Sequence, residues 1–388
     1  MKTRPGALGA AALAVEYVDD LVVGTVRDVH GAVAKRAFDL TNRRTAGSAT
    51  LAQTWHDRIS RALYTSLGAG MKVVSAGLGA AERRGLGPRL EAKPSGRLLM
   101  SAVNGLTGDR LAETHPDVAI TMAVRRSGSD ILLDPAPLAA AFPEPTSDLV
   151  IFLHGLGEND DSWRHRCDDH GGTYGDRLAA ETSWTPVYLR ANTGLPIAEN
   201  GVALASLLGD LVGAWPTEVR RIALVGHSMG GLIIRAACAI VTDGESPWID
   251  LVTNVVTLGS PHLGAPLEKT VHRGARALGV LPETAPFGRI LEYRSVGILN
   301  LGAGLAADVQ NLPHSRYHFV AATLNTSRRH PVSLVLGDLM VRYPSAVGRP
   351  RRGPEMFPGA DVLHVPGAGH FALLNHPDVY ESMRDWFG

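Results

Sequence analysis

The chain is poor in cysteine, in net charge and in long apolar runs. Cys167 and Cys238 are its two cysteines among 388 residues. Two are too few for a disulfide framework, and Cys238 falls in an apolar segment, so both are expected as free thiols. Thirty-eight Lys and Arg balance 38 Asp and Glu, and no basic tract stands out, so the charge gives no reason to expect nucleic acid as a partner. No stretch reaches the roughly 18 consecutive apolar residues of a membrane-crossing helix, which argues against an integral helical membrane protein. Met1-Lys2-Thr3-Arg4 and the run from Gly6 to Val15 follow the order of a signal peptide, but that run is mostly alanine and glycine. Cytoplasmic placement is therefore expected, with membrane association and export left open.

Glycine is abundant, with 43 residues, and 45% of the chain is hydrophobic. At this length the natural division is one catalytic body with an appendage. Leu8, Ala11, Val15, Val18, Val22, Val26, Val29 and Val33 recur at helical steps, and so do Leu51, Trp55, Ile59, Leu63, Leu67, Met71, Val74 and Leu78. Two amphipathic helices are predicted, packed on each other or on the body, or else meeting a membrane surface. Gly79 to Gly96 reads as a linker, with a boundary near Pro94. The division is thus 1–95, helical extension and linker, and 96–388, catalytic domain. Arg97 to Val103, which could equally be a short helix, and Val118 to Val124 read as strands. Beyond Pro145, strand patterns such as Leu149 to Leu153 alternate with helix patterns, and Val252 to Leu258 continues the series, which predicts a parallel sheet covered on both faces.

Within that alternation Gly226-His227-Ser228-Met229-Gly230 lies between the apolar run Ile222 to Val225 and a helical stretch from Leu232. A serine on so sharp a strand-to-helix turn presents its hydroxyl at the carboxyl edge of a sheet, with backbone N–H groups behind it. Such a nucleophile needs a base, and the base needs an acid to hold its tautomer. His370, in a glycine-rich loop after Val362 to Val365, fits the base better than His364 or His376. Asp338, downstream of the strand pattern His318 to Leu324, fits the acid, with Asp361 and Glu283 as competitors. The oxyanion formed in acyl transfer calls for two backbone donors. Met229 supplies one; Leu156, or Gly155 in its stead, supplies the other from His154-Gly155-Leu156-Gly157, where His154 is read as a bracing residue.

These motifs, with Gly259-Ser260-Pro261-His262-Leu263-Gly264 and the Gly337-Asp338 and Gly369-His370 loops, resemble a bacterial lipase or esterase of the α/β-hydrolase superfamily over about residues 146–388. The acid loop of such enzymes often reads Asp-Gly-Leu-Val, and Leu339 stands here where that glycine would be. The resemblance implies an α/β-hydrolase fold, a mostly parallel sheet covered by helices with a cap insertion at about 264–301. It also implies a small-molecule or lipid ester as substrate and neither metal nor organic cofactor. Peripheral membrane contact through the N-terminal helices is a further expectation. Thioesterase, amidase or acyltransferase chemistry stays open on the same fold, and a non-enzymatic membrane-associated protein with a hydrolase-like body is the alternative of another class.

Overall fold

The computed structural model describes residues 90–240, 248–264, 295–304, 311–328, 337–350 and 354–388, with Thr54, His330, Ser333 and Arg352 besides. The two N-terminal helices, Glu283 and residues 265–294 of the expected cap lie outside the described residues. Nearly all the described residues belong to one compact unit, Arg97–Glu268 with Ser295–Gly388.

Its centre is an eight-stranded sheet. The strands are β1 (Ala123–Arg126), β2 (Ser129–Ile131), β3 (Asp148–Leu153), β4 (Trp184–Arg190), β5 (Arg221–His227), β6 (Val252–Leu258), β7 (Arg316–Thr323) and β8 (Asp361–Pro366). They lie in the order β2-β1-β4-β3-β5-β6-β7-β8. The pairs from β4 through β3 to β8 are parallel, and β1 and β2 form an antiparallel edge. Every residue of β3 is buried, and its side chains divide by period two: Leu149, Ile151 and Leu153 enter one core, Val150 and Phe152 the other. Such a run has no polar face to give away, so it must lie mid-sheet under helices on both sides.

Helices α1 (Pro94–Thr114), α2 (Pro135–Ala141), α3 (Tyr174–Glu181), α4 (Ile197–Ala214), α5 (Met229–Ala239), α6 (Val296–Ala303) and α7 (Pro377–Phe387) complete the unit. Leu204, Leu208 and Leu211 of α4 and Leu232 and Ile233 of α5 close the first core. Tyr174 and Leu178 of α3 and Val379, Tyr380 and Met383 of α7 close the second. α4 has the length and hydropathy of a membrane span, but it spends its apolar stripe on this core.

Two expectations need correction. Arg97 to Val103 belongs to α1, a 21-residue helix. Pro94 suits a first helical turn, and Leu98, Leu99, Met100 and Ala102 are good helix formers with no β-branched run to oppose them. Val118 to Val124 is mostly not a strand: it begins in a turn, β1 starts only at Ala123, and Asn104 of α1 accepts the Ile120 N–H (2.8 Å) that a ladder would have used. β1 turns into β2 through Ser127 and Gly128, both at positive φ (50° and 77°), the two-residue hairpin whose twist suits an antiparallel pair. The buried guanidinium groups of Arg125 and Arg190 share Asp130 across this edge.

Candidate active site

β5 ends in the predicted elbow. Ser228 stands between β5 and α5 with φ 51° and ψ −120°, a conformation that costs an L-residue about 1–3 kcal/mol and is held by its surroundings. Ser228 N–H donates to Leu258 O (2.8 Å) at the end of β6. The flanking glycines answer to contact: a Cβ at 230 would lie 2.4 Å from the Leu153 carbonyl oxygen, and one at 226 lies 2.4 Å from the Gly231 nitrogen. The Met229 N–H opens α5, where a helix offers its first amides no internal acceptor.

The late loops bring the expected base and acid together. His370 Nδ1 donates to Asp338 Oδ2 at 2.7 Å, and both side chains are buried, at 2% and 1% exposure. The second carboxylate oxygen, Oδ1, accepts the N–H groups of Met340 (3.0 Å) and Val341 (2.7 Å). His370 N–H donates to the Asp338 carbonyl (3.0 Å), so backbone and side chain clamp the same two residues. His370 Nε2 is buried and has no hydrogen-bond partner among the described residues. The ring lies 4.8 Å from that of His227, the residue before Ser228, and a Cβ at Gly259 would stand 3.0 Å from its Cε1. Ser345 ties the acid loop to the turn after β6: its carbonyl takes the His262 N–H and its hydroxyl the Leu263 N–H, both at 3.1 Å.

The competitors have other roles. Asp361 begins β8 and pairs with His318 (3.1 Å). His364 Nε2 meets Thr323 (2.8 Å), and His376 caps α7 by accepting the Asp378 N–H. Leu339, where the acid loop of similar enzymes has glycine, sits at φ 89° and is 59% exposed. Leu339→Gly should therefore raise stability by about 1 kcal/mol, the relieved strain exceeding the added chain entropy; a higher urea midpoint checks it.

The loop after β3 crosses in front of Ser228. His154 is buried and braces it, with Nδ1 donating to Gly155 O (2.9 Å) and Nε2 accepting the Ala191 N–H (3.0 Å). Burial holds this imidazole below its ordinary pKa, in keeping with the neutral tautomer those bonds require. Gly155 N–H donates to Glu158 Oε2 (2.8 Å), so this donor is already engaged. No acceptor among the described residues takes the Leu156 N–H. Gly157 N–H donates to Thr193 (2.9 Å), and a Cβ on Gly105 of α1 would lie 2.9 Å from the Gly157 Cα, so α1 rests directly on this loop.

Glu158 was not singled out in the sequence. It accepts His227 Nδ1 at 3.0 Å. Burial would raise the Glu158 pKa, but the facing His227 overrides it and the carboxyl falls to about 2. Burial would likewise depress His227, and Glu158 outweighs it, so the imidazole is raised above its ordinary value. The two form a buried ion pair. Its sequence signal was an acid three residues beyond Gly155 in the oxyanion loop.

Residues 143–281 match the family model described as "Putative serine esterase (DUF676)". That stretch contains the elbow and the loop after β3. Over that stretch the chain is similar to a family of serine esterases. No curated protein sequence matches it significantly. Among solved structures the chain is similar to the Bacillus licheniformis lipase BlEst2 in its propeptide form, with 18% identity, TM-score 0.45, and coverage of 61% of this chain and 49% of that one. The chain thus spans about half the length of that lipase. It is also similar to the Pyrococcus furiosus esterase Pf2001, with 17% identity, TM-score 0.39 and coverage of 63% and 83%. A third similar structure is the Bacillus subtilis naproxen esterase, with 12% identity, TM-score 0.38 and coverage of 63% and 85%.

Proposed function

We propose that the protein is a serine esterase that cleaves carboxylic esters of apolar acyl groups through an acyl-enzyme on Ser228, with His370 as base, Asp338 as its orienting acid, and the Leu156 and Met229 N–H groups as oxyanion donors. The observation that carries this reading is the buried 2.7 Å bond between His370 Nδ1 and Asp338, beside the elbow and with Nε2 unpartnered among the described residues.

In this reading Nε2 takes the Ser228 proton as the hydroxyl oxygen attacks the ester carbonyl. The negative charge develops on the carbonyl oxygen between the two amides, and Asp338 stabilises the imidazolium. Collapse of the tetrahedral adduct breaks the bond to the alcohol oxygen, which receives the proton from Nε2. Water then enters, gives a proton to His370 and attacks the acyl carbon; the acid leaves and Ser228 regains its proton. Phe371 supports an apolar substrate, because its ring is half exposed and stands 5.6 Å from the His370 ring.

A fluorophosphonate probe should label the wild-type protein once, at Ser228, and leave Ser228→Ala unlabelled, as read by intact mass and peptide mapping. Equal labelling of the two proteins would end the assignment.

A further inference from the structure

The Glu158 and His227 ion pair is idle in the mechanism just described, yet it joins the two segments whose relative position that mechanism needs. Glu158 belongs to the loop after β3 that carries Leu156, and His227 is the residue before Ser228. One carboxylate oxygen accepts both the Gly155 N–H (2.8 Å) and His227 Nδ1 (3.0 Å). Both side chains are buried, His227 wholly and Glu158 to 10% exposure. The contact is close on either side: a Cβ at Gly155 would stand 3.0 Å from Ser228 Cβ and 3.2 Å from the Glu158 carboxyl carbon. The Glu158 N–H donates back to Gly155 O (3.2 Å), closing a turn around Leu156.

This inference rests on Ser228 being the nucleophile. We propose that Glu158 and His227 are a positioning pair that fixes the oxyanion loop to the nucleophile elbow and so sets the distance between the Leu156 N–H and the Ser228 hydroxyl. The physical reason lies in the Gly155 amide. Without an internal acceptor it would turn toward the site or toward water, and the next peptide plane, which bears the Leu156 N–H, would rotate with it. An oxyanion donor acts only when it is already aimed at the place where charge develops. Displacement by about 1 Å can cost roughly 100-fold in rate. The ion pair suits such a lock because an unpartnered buried carboxylate or imidazolium is costly, so few other arrangements of the loop compete.

Glu158→Leu removes the shared acceptor and keeps side-chain bulk. It should lower kcat by about 100-fold with KM little changed. The affinity for a boronic acid that forms a tetrahedral adduct on the serine should fall by the same factor, because the analogue needs the aligned donor and the ground-state ester does not. Glu158→Gln should regain most of the loss, since its carbonyl oxygen can accept the same two N–H groups. Active sites are counted by fluorophosphonate titration, so kcat refers to folded enzyme. If Glu158→Leu does not fold, His227→Leu opens the pair from the other side and is read in the same way. The proposal is overturned by wild-type kcat per labelled site, by a loss confined to KM, or by a kcat loss that leaves the boronate affinity unchanged. A wild-type protein that takes no label at Ser228 would instead remove the reading on which the proposal stands.

Discussion

His370→Ala is expected to lower kcat by about a million-fold on a p-nitrophenyl ester, the scale seen when the base of a serine triad is removed. The size of the effect follows from the occupation of the neighbouring histidines. His154 uses both ring nitrogens inside the fold, on Gly155 O and the Ala191 N–H. His227 is the nearest imidazole, 4.8 Å away between ring centroids, but its Nδ1 is held by Glu158 and its pKa is raised. A ring whose Nδ1 is bound to a buried carboxylate does not offer that nitrogen to the serine proton. His364 and His376 are engaged with Thr323 and the start of α7. Single-turnover kinetics measure the loss. Turnover within tenfold of wild type would transfer the base role to another group and leave the buried bond to Asp338 without a catalytic meaning.

Asp338→Asn is expected to cost about ten thousand-fold in kcat, with a smaller effect on folding. The backbone determines how the amide must sit. Asp338 Oδ1 accepts from the Met340 and Val341 N–H groups at 3.0 and 2.7 Å, so the oxygen of an asparagine stays there and its NH2 faces His370 Nδ1. That ring nitrogen must then accept rather than donate, which moves the proton to Nε2, where it blocks removal of the serine proton. Steady-state rates show the loss, and the ring-nitrogen shifts of His370 report the tautomer. A wild-type rate with the inverted tautomer would show that Nε2 is not where the serine proton goes.

The strands were legible wherever the chain has one environment on both faces. Leu149 to Leu153 falls one residue short of β3 because a run buried on both sides is apolar throughout, and Val252 to Leu258 coincides with β6, where β-branched valines and threonines mark the strand. The antiparallel edge was not legible: β1 and β2 have four and three residues, too short to show a period, and the buried residue Arg125 gives no apolar signal. α1 gave a mixed signal because Leu98, Leu99 and Leu106 are more than half exposed, so its apolar residues do not collect on one stripe.

The sequence by itself determined the sharp strand-to-helix turn at Ser228 and the alternation that makes a parallel sheet. Each is set by local sterics or by a period of a few residues, so neighbours along the chain suffice to express it. Tertiary structure alone decided that the Gly155 N–H is engaged while no described residue takes the Leu156 N–H, that Leu339 sits at positive φ, and that Glu158 meets His227 across 69 residues. Those are contacts between distant segments, and which donor meets which acceptor is fixed only when the buried strands bring their carboxyl ends to one edge.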